Sequence, residues 1–408
     1  MKPNILFVDD EQGILNGLRL ALRAKRGQWN MDFALGGKDA LESLGKTTYN
    51  VVVTDMRMPG LDGAQVLGEA KRLQPHCVRV ILSGYADSEN VLKAVKPAHL
   101  YLSKPCRSEV LVETREKALR LDELLGDTAL RRMVARLESL PALPRCYMEL
   151  QEALGREDVP LSRIADIISQ DAGMAATILR LVNSAFFGLP QRVASLHHAV
   201  NLLGEQTLRA LVLTVHLFTT LDPGHFPNFS VPLLWEHSFR VGCLAKAIAQ
   251  AEGAGQETRE DCFIAGMLHD VGKLVLLTGL TQEYAAVVAR VRADGLPLFM
   301  AEQTALAASH AAIGGYLLNL WGFAQPVLEA VCRHHDPEVL SEEAFSPAAA
   351  VAAANRFDHE LVRLHPDYAV HPLGENGEAS ALGERRLDTW REVCQLTLER
   401  QTGSDADG

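Results

Sequence analysis

Acidic residues gather at the ends of apolar runs in the first hundred residues. Ile5–Val8 leads into Asp9 and Asp10, and Val51–Thr54 leads into Asp55. Val78–Leu82 leads into Ser83, and His99–Leu102 leads into Ser103 and Lys104. If these runs are neighbouring parallel strands, the acids meet at one sheet edge, where open α/β sheets bind ligands. There they would repel one another unless a hard divalent cation lay among them, and Mg²⁺ suits oxygen ligands of this kind. Such a cation, with Lys104, would stabilise charge on a transferring phosphoryl group, and Ser83 offers it a hydroxyl. Singly each signal is bland: an Asp after a strand is commonly a helix N-cap, and Ser-Gly is commonly a turn. The combination, in strand order, carries the weight.

A second set of chemistry-bearing residues lies farther along. Of the fourteen histidines, His237 sits in LWEHSF, His269-Asp270 in GMLHDVGK, His310 in SHAAIGG, and His334-His335 precede Asp336. Imidazole with one carboxylate suits Fe, Mn or Zn, and a water on such a metal could attack a phosphodiester. In that reading Lys273 would stand near the phosphate. One histidine on an apolar helix is more often a packed core residue. Five in separate helical contexts favour a shared pocket.

The elements that must position these residues fall into two classes. Up to about residue 122, five runs read as buried strands, Met31–Ala34 being the weakest, and they alternate with helical patterns. Ile14, Leu18, Ala21 and Leu22 share one helix face, and Gly63–Leu73 and Asp87–Val95 give two more helices. This predicts an α/β unit with a doubly wound five-stranded parallel sheet over residues 1–122. Residues 123–136 read as a connecting helix without clean heptads, so a homodimer through it stays an open reading. Residues 137–357 read as an all-α domain punctuated by prolines. Residues 358–408 read as a C-terminal extension: loop over 366–386, helix over Leu387–Arg400, and a disordered end, GSDADG.

Composition narrows the function classes. The net charge of −11 argues against broad nucleic-acid or anionic-membrane partners. Seven scattered cysteines without C-x-x-C suggest reduced thiols and a cytoplasmic protein. The start, MKPNILFVDDEQ, does not read as a signal peptide, and no run of eighteen uncharged apolar residues predicts a membrane span.

The stretches FVDDE, VVVTDMRMPGLDG, VILSGYAD and YLSKP resemble the response regulator receiver family of two-component signalling, whose fold is flavodoxin-like. The resemblance implies that Asp55 accepts phosphate from a histidine kinase. It implies Mg²⁺ held by Asp9, Asp10, Asp55 and the backbone carbonyl of Arg57, with Asp9 acting through water. It makes Lys104 and Ser83 the phosphoryl-contacting groups, and Ser83 and Tyr101 the switch pair.

The later stretches, from LPALPRC and RIADIISQDAGMAATILRLVNSAFFG to WEHSFRVGCLAKAIA, HAAIGGYLLNLWGF and VCRHHDP, resemble the HD superfamily and within it the HDOD domain. That implies an HD-like metal or vestigial site at His237, His269, Asp270, His310, His334 and His335, with a transition metal as its cofactor. The closing acid of catalytic HD enzymes is expected where Asn355 stands, with Asp358 one turn away, and no Gly-Tyr-Pro follows the paired histidines. The expected function is a non-catalytic output acting on an unidentified downstream protein. The alternative is a metal-dependent phosphohydrolase acting on a nucleotide or cyclic dinucleotide. Phe186 and Phe187 could form a recognition element or simply close a helix.

Overall fold

The structure is a computed structural model that describes residues 2–75, 77–83, 100–103, 130, 133–134, 137, 145–154, 161–184, 193–219, 229–362 and 381–404. It divides into two compact units, Met1–Leu143 with Tyr316–Gly322, and Pro144–Gly315 with Phe323–Gly408.

In the first unit β1 (Asn4–Asp9), β2 (Asn30–Leu35), β3 (Val51–Asp55), β4 (Val78–Ser83) and β5 (Leu100–Ser103) form a parallel sheet in the order β2-β1-β3-β4-β5. Ile5, Leu6, Phe7, Val8, Val51, Val52 and Val53 are all buried, as strands covered on both faces require. The expected first residue of the fifth strand, His99, lies outside the described residues. Helices α1 (Gln12–Ala21), α2 (Gly37–Lys46) and α3 (Gly63–Leu73) follow the first three strands. The sequence reading did not single out α2, whose core contact rests on Gly37, Ala40 and Leu44 alone. Asp62 starts α3 through a reciprocal capping box with Gln65. The expected helix over Asp87–Val95 and nearly all of the connecting helix lie outside the described residues. Of the latter, Leu130, Met133 and Val134 are buried; the next described residue, Leu137, is buried too, and its carbonyl accepts from Lys71 Nζ at 2.9 Å.

The second unit has no strand among the described residues; its elements, with α14 crossing into the Tyr316–Gly322 segment of the first unit, are helices. It comprises α4 (Arg145–Leu154), α5 (Leu161–Ser169), α6 (Ala172–Val182), α7 (Leu196–Leu203), α8 (Glu205–Thr219), α9 (Val231–Ala251), α10 (Gln256–Leu268), α11 (Val271–Gly279), α12 (Thr281–Asp294), α13 (Leu298–Leu306), α14 (His310–Leu320), α15 (Gln325–Arg333), α16 (Pro347–Leu361) and α17 (Ala381–Ser404). Ser230 and Ser346 cap α9 and α16, and a proline follows each, where the missing N–H costs nothing. Helix α10 packs against α8, α9, α15 and α16, and Cys262 to Leu268 are buried throughout.

Two glycine crossings bring the site-bearing helices together. A Cβ on Gly266 of α10 would overlap the Gly242 backbone of α9. A Cβ on Gly272 of α11 would overlap the His310 carbonyl of α14, and Gly314 lies against Gly272.

The C-terminal extension differs from expectation. Helix α17 starts inside the segment read as loop and runs through Gly403 and Ser404, which were read as disordered. Helix α16 continues to Leu361, so the boundary drawn at 357/358 falls inside it. Glu252 accepts from Arg386 and from the Trp390 indole, which anchors α17 on α9. The described cysteines are unpaired with one another. Among the described residues, Gln256–Gly279 is long and apolar enough to cross a membrane, but 94% of its most apolar window is buried inside the protein.

Candidate functional site

The sheet register fixes the acidic edge. Val8 pairs with Thr54, so Asp9 and Asp55 are the next residues on adjacent strands, and residues at matched positions share a face. Asp55 pairs with Leu82, and Ser83 pairs with Ser103, at the same carboxyl edge. Asp9 is buried, Asp55 nearly so, and Asp10 and Arg57 are exposed. Asp9 Oδ1 accepts the Glu11 N–H at 2.9 Å. The loop after Asp55 closes where Gly63 N–H donates to the Met56 carbonyl at 3.0 Å, and a side chain on Gly63 would overlap the Asp55 carbonyl. For Ser83 and Tyr101 the structure gives the strand position, and Lys104 lies outside the described residues.

In the helical unit every histidine of the predicted set converges, and most stand at helix ends. His269 follows α10 and Asp270 precedes α11, so the pair occupies the break between two helices. His310 opens α14, His334 and His335 follow α15, and His237 lies in the second turn of α9. Four of these imidazoles are anchored through Nδ1 to acceptors outside the cluster. His237 meets Asp358 at 2.7 Å, His269 the Gly266 carbonyl at 2.7 Å, His310 Glu302 at 2.6 Å, and His334 the Val331 carbonyl at 2.7 Å. A proton on each Nδ1 leaves the Nε2 lone pairs facing inward, the arrangement by which outer acceptors orient metal-bound histidines.

Asp270 sits at the centre. Its Oδ1 lies 3.2 Å from His310 Nε2 and 3.7 Å from His334 Nε2; its Oδ2 lies 3.4 Å from His269 Nε2 and 3.7 Å from His237 Nε2. His310 Nε2 is 3.4 Å from His334 Nε2 and 2.9 Å from His335 Nε2. Ligands held about 2.0–2.1 Å from a tetrahedral cation are spaced by similar distances. Asp270 Oδ1 and His269 Nε2 are buried without a hydrogen-bond partner. Buried polar atoms rarely go unsatisfied, and a cation would satisfy both. The residues therefore fit a divalent transition metal.

The electrostatics agree with the geometry. Burial, then the neighbouring histidines, hold His334 well below the ordinary histidine range, and His335 likewise, so both stay neutral as ligands must. Burial opposes ionisation of Asp270, but His269 and Lys273 outweigh it and keep the carboxylate charged. Lys273 Nζ stands 2.6 Å from Asp270 Oδ2.

Three clusters have ligand atoms close enough to hold an ion: His310–His334–His335, His237–His269–Asp270 and His237–Asp358–His359. The third is chemically saturated. Arg240 Nε and Nη2 donate to the two Asp358 oxygens at 2.7 and 3.0 Å, and His237 takes Oδ2 as well. Burial pushes the Asp358 carboxyl up, but His237 and Arg240 outweigh it and hold it far below the usual range.

Asn355 stands where the sequence reading expects the closing acid, and Asp358 one turn on is engaged outside the Nε2 ring. Asp358, not the position of Asn355, meets His237. Asn355 is buried nearby with its Oδ1 unpartnered. Asp336 turns away to Arg333 and caps the turn after α15. Reasoning from sequence missed Glu302, Arg240 and His359. Glu302 lies eight residues before His310, a spacing that gives no helical signal once Ala307, at φ 62°, breaks α13 from α14.

Family comparisons follow this division. The HDOD domain profile matches residues 140–337, and the response regulator receiver domain profile matches residues 5–116. An uncharacterised protein of Treponema pallidum is 31% identical over 267 residues, 65% of this chain and 51% of that protein. The hydrogenase transcriptional regulatory protein HoxA of Cupriavidus necator is 32% identical over 128 residues, 31% of this chain and 26% of that protein. The chain thus spans about half the length of the first relative and about a quarter of the second. A crystal structure of an HDOD domain protein of unknown function from Geobacter sulfurreducens superposes with a TM-score of 0.50 at 25% identity, covering 67% of this chain and 97% of that one. The chain carries a response regulator receiver domain over residues 5–116 followed by an HDOD domain over residues 140–337.

Proposed function

We propose that this protein is a phosphorylation-controlled response regulator in which Asp55 accepts a phosphoryl group from a histidine kinase and governs an HDOD output that acts by binding a protein partner. The observation that carries the reading is the register that sets Asp9 and Asp55 level at the carboxyl edge, beside the end of β4 at Ser83. In this reading Asp9, Asp10, Asp55 and the Arg57 carbonyl hold Mg²⁺, which supplies charge neutralisation for the phosphoryl group. Ser83 and Lys104 contact that group, and Ser83 with Tyr101 moves as the switch. The test is incubation with acetyl phosphate and Mg²⁺, followed by mass spectrometry of the intact chain. A labile adduct on Asp55, absent in Asp55→Asn and without Mg²⁺, is expected; no adduct on the unaltered chain refutes the reading.

The HDOD cluster is proposed to hold a transition metal through Asp270, His310, His334 and His335, without hydrolysis. Its support is that Asp270 is the one carboxylate among the described residues facing the ring of Nε2 atoms, and Lys273 already contacts it. Asp358 spends both oxygens on Arg240 and His237. A two-metal hydrolytic centre needs more anionic ligands than that. Such a bound ion would supply a fixed positive charge that ties helices together.

A further inference from the structure

Two carboxylate–imidazole pairs flank the cluster, and they are not equivalent. The Asp358 carboxylate, which meets His237, is also forked by Arg240, so a guanidinium matches its charge. Glu302 is wholly buried, and no lysine or arginine among the described residues pairs with it. Its Oε1 accepts the Tyr284 hydroxyl at 2.7 Å. Its Oε2 accepts both the backbone N–H of His310 at 2.8 Å and the ring Nδ1–H at 2.6 Å. Every contact that fixes this carboxylate therefore either steadies it or passes its charge to His310. A buried carboxylate without a countercharge is costly, and the cost falls if positive charge gathers at the far nitrogen of the imidazole it holds.

That far nitrogen is His310 Nε2, which lies within 3.4 Å of His334 Nε2, His335 Nε2 and Asp270 Oδ1. A carboxylate on the outer nitrogen of a ligating histidine fixes its tautomer and raises the basicity of the inner one. Arg240 cancels that effect for His237.

We infer that Glu302, held by Tyr284, is a positioning residue that makes His310 the strongest imidazole donor of the cluster, and so assigns the metal to the His310–His334–His335 side rather than the Asp358 side. This rests on the reading that the cluster holds a transition metal.

The experiment uses the full chain, stripped of metal by a chelator and titrated with Co²⁺, whose visible spectrum reports its ligands. Glu302→Gln keeps the shape and an acceptor but removes the charge. It is expected to weaken Co²⁺ binding about 10- to 100-fold and to shift the bands, the usual range for an outer-shell partner. Tyr284→Phe removes one hydroxyl, should cost a few-fold, and decides the matter if Glu302→Gln does not fold. Circular dichroism establishes which variants are folded. Folded variants that bind Co²⁺ within twofold of the unaltered chain, with superimposable spectra, overturn the role of Glu302 and leave the metal reading standing. An unaltered chain that takes up no Co²⁺, or uptake that His334→Ala does not change, overturns the metal reading and this inference with it.

Discussion

Replacing Asp358 by alanine tests whether α16 is pinned to α9 by charge rather than by shape alone. The carboxylate is wholly buried, His237 is too, and Arg240 keeps 12% of its side chain exposed. Alanine removes the acceptor of two Arg240 bonds and one His237 bond. Bonds to charged groups contribute roughly 1.5–3 kcal/mol each, but they share one partner and do not add. Breaking a buried pair from one side costs about 3–5 kcal/mol, chiefly because the surviving charge is stranded. Water can reach the edge of Arg240, so the low end, about 3 kcal/mol, is expected. For a domain of this size that corresponds to a Tm drop of about 6–12 °C. The assay is thermal and urea unfolding of the full chain, followed by helix signal. Asn355→Ala serves as the comparator, expected to cost about 1 kcal/mol or less because its Oδ1 makes no bond to lose. If Asp358→Ala lies within 0.5 kcal/mol of the unaltered protein, or costs less than Asn355→Ala, the charge argument is wrong; ~0.5 kcal/mol is what an ordinary surface change gives.

Gly266→Ala should destabilise the helical unit by about 1–3 kcal/mol despite a helix-propensity gain of about 1 kcal/mol, because the new methyl meets the Gly242 backbone. Gly17→Ala in α1, where nothing lies within 4 Å of the added atom, should instead stabilise by about 0.5–1 kcal/mol; unfolding curves of the two variants give the opposite signs. Trp390→Ala, at a side chain 1% exposed, should cost about 3–5 kcal/mol and expose α17 to limited proteolysis before the rest of the domain. Burial, then Glu257 and Glu260, raise the Asp261 carboxyl to about 6. The folded state therefore holds this proton more tightly than the unfolded one, and its contribution is lost as pH rises from about 4 through 6. Asp261 is partly exposed, so Asp261→Asn should stabilise by less than about 1 kcal/mol at pH 7 and by nothing at pH 4, read as the difference in Tm.

The sheet was legible because strands buried on both faces read as unbroken apolar runs, and Ile5–Val8 and Val51–Val53 are such runs. Helix α2 carries the same kind of signal as α1, with Gly37, Ala40 and Leu44 on one face, yet the sequence reading passed over it. The histidines were legible as a set because helix-end positions put four of them, His269, His310, His334 and His335, into short breaks between apolar segments. What holds them was not. Glu302 reaches His310 across a break between helices, and Asp358 reaches His237 across 121 positions of chain. Neither relation has a period, so only the packing of α9 on α16 and of α13 beside α14 could expose it. Asn355 and Asp358 both lie on the buried face of α16 one turn apart, and that Asp358 is the one that meets His237 is likewise a matter of packing.

On the proposed reading the HDOD domain only binds a partner and has no chemical need for a buried ring of imidazoles, so the ring calls for a physical reason. The ring draws on α9, the α10–α11 junction, α14 and the end of α15, segments separated by tens of residues. Hydrophobic contacts between these helices are tolerant of sliding, whereas the glycine crossings at Gly242–Gly266 and Gly272–Gly314 bring backbones so close that only one placement fits. Four imidazoles, each tethered outward by Nδ1 and inward toward Asp270, demand the same placement from the polar side. Misplacing any one helix would strand a buried polar atom in addition to losing contacts. The cluster therefore acts as a register lock. A lock of this kind holds one arrangement of helices firmly enough for a signal to select between two states instead of blurring among many.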